Sequence, residues 1–220
     1  EFDYGMRIKA QRGRILGATI GPVEVSMPDF DVMDEMLIIK GKAAGPTGEF
    51  LKFIERSPVA ASIDHFTVGM QAQGPGELDL AIDLPLRRID DTKVRGRYQF
   101  ANNTLQVVEG LPPITAVQGA LDITEASVTA REINGRAFAG PVRVQVGSEA
   151  GKDGGKVLIK ASGKADLGEV GRHFAWPLLD RVSGAAQWKS DIIIQKRRAH
   201  VLVTSDLLGV VLDWQEPLQQ

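Results

Sequence analysis

The feature that most constrains this chain is alternation of apolar and polar residues with a period of two. Between Leu105 and Ser148, Val117, Gly119, Leu121 and Ile123 alternate with Gln118, Ala120, Asp122 and Thr124. Val142, Val144 and Val146 alternate with Arg143 and Gln145, and upstream Leu78, Leu80, Ile82 and Leu84 alternate with Glu77, Asp79, Ala81 and Asp83. Successive side chains of a strand point to opposite faces, so this pattern predicts short strands turned back on one another, with one apolar and one wet face.

The same reading extends along the chain. Two short strands are predicted between Met6 and Ile20, then strands at Val23–Val25, Met36–Lys42, Ile63–Gln71, Glu77–Leu84 and Val94–Phe100. After the central meander come Val157–Gly163, Gly184–Trp188, Asp191–Gln195, Ala199–Thr204 and a last strand in Leu207–Trp214. Hairpin turns are predicted at Asn102-Asn103 and Asn134-Gly135, because Asn and Gly accept positive φ. The period changes twice. Phe50, Phe53 and Ile54 fall at helical spacing in Gly48–Arg56, with Thr47 as cap and Ser57-Pro58 as terminator. Leu167–Val182 is a second helical stretch, interrupted at Pro177. Each helix is followed by Pro and more strands, a faint repeat of about a hundred residues dividing 3–100 from 101–220. Otherwise 3–220 is a single β-rich segment. Glu1-Phe2 resembles a cloning remnant, and the chain reads as a piece of a longer polypeptide.

Composition bounds the function. The 220 residues are 43% hydrophobic and 25% charged, with a net charge of −2, and no basic stripe of the kind that binds nucleic acid is visible. Cysteine is absent, which excludes disulfides and thiolate chemistry. No apolar run approaches the roughly 18–20 residues that span a bilayer as a helix.

A search for chemistry returns little. His65, His173 and His200 stand alone, without metal-ligand spacing. Asp90-Asp91 would point to opposite sides if extended, and so cannot share acid and base roles. Lys196-Arg197-Arg198 reads as a charged hairpin tip. Gly41–Glu49 lacks the order of a phosphate loop, and Gly151–Lys156 lies between strands rather than opening a helix. There is no G-x-S-x-G elbow. Trp176, Trp188 and Trp214 are scattered and read as structural. No catalytic residue, metal site or cofactor is predicted.

Seven stretches together carry a resemblance: GEFLKFIERSPV (48–59), GELDLAIDLPL (76–86), VRGRYQFANNTLQV (94–107), LPPITAVQGALDITEASVTA (111–130), REINGRAFAGPVRVQV (131–146), VSGAAQWKSDIIIQ (182–195) and VLVTSDLLGVVLDWQEPL (201–218). In this order they resemble the YhdP-type branch of the AsmA-like proteins. The ending departs from that pattern: Asp213-Trp214-Gln215-Glu216 stands where a Leu-Pro is expected before the final Pro-Leu.

The resemblance implies a long, strongly twisted antiparallel sheet curled into an open groove, with two short helices. It also implies a parent anchored in the inner membrane of a Gram-negative cell, crossing the periplasm towards the outer membrane, with phospholipid and adjoining segments of the same polypeptide as partners. The groove-lining stripe would comprise Leu80, Ile82, Val117, Leu121, Val142, Val144, Val157, Ile159, Val201 and Val203. About fourteen strands stacked roughly 4.8 Å apart would make a groove of about 65 Å. The alternative is an envelope structural or interaction module whose apolar face is sealed by the two helices.

Overall fold

The computed structural model describes residues 4–15, 17–30, 32–56, 65, 67–149, 155–176, 181–195 and 198–212. Among the described residues there are fourteen strands: β1 (Met6–Ala10), β2 (Gly13–Ile15), β3 (Ala18–Met27), β4 (Met36–Pro46), β5 (Gln71–Gln73), β6 (Pro75–Pro85), β7 (Lys93–Gln106), β8 (Ile114–Thr124), β9 (Val128–Ala137), β10 (Gly140–Glu149), β11 (Lys156–Asp166), β12 (Val182–Gln195), β13 (Arg198–Ser205) and β14 (Val210–Leu212). Helix α1 (Thr47–Glu55) follows β4 and helix α2 (Leu167–Phe174) follows β11.

The strands form one antiparallel sheet in the order β1-β3-β4-β6-β7-β8-β9-β10-β11-β12-β13, not closed into a barrel. Strands β2, β5 and β14 pair beside this path, with β3, β7 and β12. Eleven strands therefore lie in sequence across the sheet, and ten spacings span about 48 Å rather than the expected 65. Because β4 and β11 are separated by six antiparallel steps, they point the same way. Both helices consequently leave the sheet at the same end of its strands.

Several expected boundaries move. Asn102-Asn103 is no hairpin: β7 runs through it, and Asn102 takes its positive φ of 61° at a register shift between Ala101 and Asn103. The turn expected at Asn134-Gly135 lies four residues later, at Phe138 and Ala139 (φ 49° and 58°), where Ala137 pairs with Gly140. Two positive φ values in a two-residue loop give the twist-compatible hairpin turn usually filled by Asn-Gly. Gly135 answers a different need, since a Cβ there would lie 2.6 Å from Ile114 Cγ2 on β8. The two strands expected in 184–195 are one, β12. In place of a strand at 63–71, residues 67–69 turn and β5 starts only at Gln71; Ile63 and Asp64 lie outside the described residues. Thr47 is the first helical residue rather than the cap, and Pro46 holds the cap position. In α2, by contrast, Asp166 accepts from the Glu169 N–H at 3.0 Å. That helix ends at Ala175 in a left-handed conformation, φ 50°. Ser57-Pro58, Pro177, Lys196-Arg197 and Trp214 lie outside the described residues.

The wet face is laced by cross-strand ion pairs: Arg7–Glu24, Lys42–Asp79, Arg95–Asp83, Arg97–Asp122 and Lys93–Glu125. Exposed pairs contribute little individually, but opposite charges at facing positions favour one register over its neighbours. At the far end of the strands the Arg87 guanidinium donates twice to Glu35, at 2.9 and 3.1 Å, and holds its carboxyl down at about 2. Glu125 is likewise lowered to about 2, by Lys93 and by the backbone N–H groups of Glu125 and Val94. Carboxylates whose folded pKa is depressed add stability above their ordinary value of 4.5 and lose it as pH falls towards 2. The melting temperature is therefore expected to drop across that window, and Glu35→Gln with Glu125→Gln should flatten the drop in a pH series of thermal melts.

The apolar face of the sheet

The register fixes which side chains share a face. One row runs Ile8–Val25–Ile39–Ile82–Val94 from β1 to β7. Another runs Phe100–Gly119–Ile133–Val144–Ala161–Ser190–Val203 from β7 to β13. Between them Leu80 faces Gly96 and Ile123, and Leu78 faces Tyr98 and Leu121. On the C-terminal side Val146–Ile159–Ile192–Val201 forms a further row. All ten residues of the expected stripe thus lie on one face.

Their surroundings differ. Val117 is fully buried, and Val142, Val144, Val157 and Ile159 are buried with Ala130 and Ile133 in one cluster. Phe100, Leu105, Ile114, Leu121, Trp188 and Ile192 pack around it. Among the described residues none from α1 or α2 belongs to this cluster. Register shifts within β7–β8, β8–β9 and β9–β10 surround Val117, and bulges of this kind bend the strands that carry them. In β3, β4 and β6 the face is half-open at Val25, Leu37, Ile39, Leu80 and Ile82, and Ile8 on β1 is exposed. At the other margin Val201 and Val203 are 47% and 59% exposed. The sheet therefore has a packed central-to-C-terminal portion flanked by apolar surface open to solvent.

The residues missed from sequence were Val25, Leu37, Ile39, Val94 and Ile192. The run Met36-Leu37-Ile38-Ile39 hides the inward pair because Ile38 on the opposite face is apolar too. Alternation in its partner β6 was the available signal, since Ile39 sits opposite Ile82.

The lip carrying the helices is built differently. Thr47 at the start of α1 is buried, and its hydroxyl oxygen accepts from the Tyr98 hydroxyl at 2.8 Å and from Asn103 Nδ2 at 2.6 Å. Burial raises the Tyr98 pKa, only partly offset by that hydrogen bond. Phe50 of α1 meets the edge of Tyr98, which meets Phe100, at centroid distances of 5.2 and 5.1 Å. On α2, His173 Nε2–H donates to the Gly110 carbonyl at 3.0 Å, and Phe174 stacks on exposed Trp176 at 5.0 Å. His65 and His200 are exposed and separate, and Asp90 and Asp91 sit in a short 3₁₀ turn. Among the described residues no three His, Asp or Glu side chains gather into a metal cage, and no helix is long and apolar enough to cross a membrane.

This arrangement is a one-layer antiparallel sheet whose apolar face is capped by α1 at Tyr98 and Phe100 and, among the described residues, is left part-exposed at β3, β4, β6 and β13, where apolar surface is available to a hydrophobic ligand. No curated protein and no solved structure matches the chain. The family model described as YhdP protein matches residues 3–220, nearly the whole length. On that match the chain belongs to the YhdP family.

Proposed function

We propose that this chain is a non-enzymatic segment of a bridge-like lipid-transport protein of the AsmA-like type, shielding phospholipid acyl chains in the periplasm between the inner and outer membranes. The observation that carries the reading is the part-exposed apolar face of β1, β3, β4 and β6, at Ile8, Val25, Ile39, Leu80 and Ile82. Each methylene moved from apolar surroundings into water costs about 0.8 kcal/mol. Two long tails together then cost on the order of 20 kcal/mol, enough to forbid unaided crossing of an aqueous gap. Apolar side chains along the path remove that cost, and conduction needs no acid, base or metal.

Tails would lie over Ile39, Leu80 and Ile82 and along the exposed margin at Val201 and Val203. Val117, Val142, Val144, Val157 and Ile159 would maintain the curvature from within the packed portion. A 48 Å segment needs continuation, and β1 and β13, at the two ends of the pairing order, offer strand edges to adjoining segments of the same polypeptide. The parent would be anchored in the inner membrane.

The packed cluster favours a second reading for its own part of the sheet, as a closed structural module. Native mass spectrometry of the protein purified from a Gram-negative host separates the two. Copurifying phospholipid is expected, reduced at least tenfold in Ile39→Asp and Ile82→Asp variants that keep the wild-type circular dichroism. A clean lipid-free mass with no uptake of added phospholipid would establish the structural module instead. Val144→Asp is the wrong probe, because it charges a buried position and unfolds the packed portion.

A further inference from the structure

The wet face is not uniform. Across β1–β8 most cations are answered by acids on neighbouring strands, but on β11 and β12 Lys164 and Lys189 face none, Lys164 lying opposite Gln187 and Lys189 between Ser162 and Thr204. Ser162 on β11 lies directly between Arg143 on β10 and Lys189 on β12. Lys160 and Lys164 flank it along its own strand, on the same face. Facing Cβ atoms in such a sheet are about 5 Å apart, and successive same-face residues of a strand about 7 Å apart. Four cationic side chains thus rise around one hydroxyl, with Thr204 opposite Lys189 on β13. Two acids are near. Glu132 pairs with Arg143 at 3.4 Å, and Asp191 faces Lys160 without forming an ion pair. Lys160, Lys164 and Lys189 are exposed, and among the described residues none makes a salt bridge or side-chain hydrogen bond.

We propose that the outer face of β10–β12 is a phosphate-binding site centred on Ser162. Lys164 and Lys189, held this close without a facing counter-charge, repel one another, and the other half of the same sheet largely avoids that cost by pairing. An external anion removes it here. A phosphate group fits better than a carboxylate: its several oxygens, spread tetrahedrally, accept from a central hydroxyl, from lysine ammonium groups on β11 and β12 and from the Arg143 guanidinium on β10, whereas a carboxylate is saturated by a single guanidinium fork. A lipid phosphate headgroup and free phosphate present the same chemistry, and the test tells them apart. The site is on the face opposite the apolar surface, so it stands independently of the proposed lipid path.

The test measures binding of inorganic phosphate by calorimetry, and of phosphatidic acid in phosphatidylcholine vesicles by co-sedimentation, against pure phosphatidylcholine vesicles. The expected result is binding to both phosphate probes and not to phosphatidylcholine alone. Each lysine near an anionic surface is worth roughly fivefold in partitioning, so Lys164→Glu with Lys189→Glu should lower binding by more than about twentyfold. Lys164→Gln with Lys189→Gln gives a smaller loss and is the milder probe should charge reversal disturb the fold. Lys164→Arg with Lys189→Arg should retain binding, and Ser162→Ala should weaken it a few-fold. The Ile82→Asp variant should bind phosphate as the wild type does, which keeps this result separate from the lipid-path experiment. Binding of inorganic phosphate without phosphatidic acid assigns the site to free phosphate. Absence of binding to both probes, or indifference to both lysine substitutions, would overturn the proposal.

Discussion

Replacing Gly140 with alanine is expected to cost about 3 kcal/mol or more, lowering the melting temperature by roughly 10 °C. Gly140 opens β10 immediately after the Phe138-Ala139 turn, and β11 passes so close that a Cβ there would overlap the Lys164 carbonyl oxygen. Backbone cannot swing aside as a flexible side-chain tip can. The methyl must therefore part β10 from β11 where Asp166 N–H donates to the Phe138 carbonyl at 3.0 Å. Gly147 in the same strand is the control, because a Cβ there meets nothing within 4 Å. Gly147→Ala should be neutral or stabilising by a few tenths of a kcal/mol, through the lower chain entropy of unfolded alanine. Chemical denaturation of the two variants reads the contrast directly. Equal midpoints would contradict the close approach of β11 at Gly140.

Asn103→Ala should be comparably damaging, by about 3 kcal/mol, for a polar reason. Asn103 is fully buried, and its amide nitrogen reaches Thr47 Oγ1 at 2.6 Å and the carbonyls of Pro75 and Gln73 at 2.9 and 3.2 Å. Its side-chain oxygen accepts from the Ala101 N–H at 2.7 Å. One side chain thus fastens the start of α1, the end of β5, the start of β6 and the bulge of β7. Alanine leaves the Ala101 N–H without this acceptor and takes the shared donor from Thr47, Pro75 and Gln73, of which Thr47 keeps the Tyr98 hydroxyl. Asn103→Asp tests the argument at constant shape: it removes the donor and sets a carboxylate against carbonyl oxygens, so it should be at least as destabilising as alanine near neutral pH. If Asn103→Asp melted like the wild type, the orientation of the amide in this network would be wrong.

Asn103 also shows how far the sequence could be read. Asn-Asn between apolar runs predicts a hairpin because Asn tolerates positive φ, and Asn102 does adopt it, at 61°. The conformation was legible but its use was not. A bulge within a long strand and a turn between two strands ask the same thing of the local backbone, and what separates them is whether the strand goes on pairing. Here Asn103 still faces Val117, and Leu105 faces Ile114. Asn134-Gly135 predicts a turn in the same way, yet the space beside Gly135 is taken by Ile114 and Val117, about twenty residues earlier in sequence.

The apolar stripe divides along the same line. Its membership follows from alternation, and Leu80, Val144 and Val203 were placed on one face from residues alone. Whether each would be packed or open was not in the pattern. Val142 and Val144 alternate with polar residues just as Val201 and Val203 do, yet the first pair is 4% and 9% exposed and the second 47% and 59%. The difference comes from the register shifts that bend β7–β10 and from the position of β13 at the margin of the sheet.

The cationic cluster around Ser162 was likewise invisible. Arg143, Lys160, Lys164 and Lys189 are dispersed over 47 positions in a chain of net charge −2, and only the β10–β11–β12 register gathers them. What the sequence determined by itself was what repeats locally: the period-two faces, the antiparallel meander, the two helical interruptions and the family. Curvature, the end of each strand, the buried node at Asn103 and the division of the apolar face into packed and open parts were decided by tertiary structure. They arise from contacts between residues distant in the chain, which no local pattern encodes.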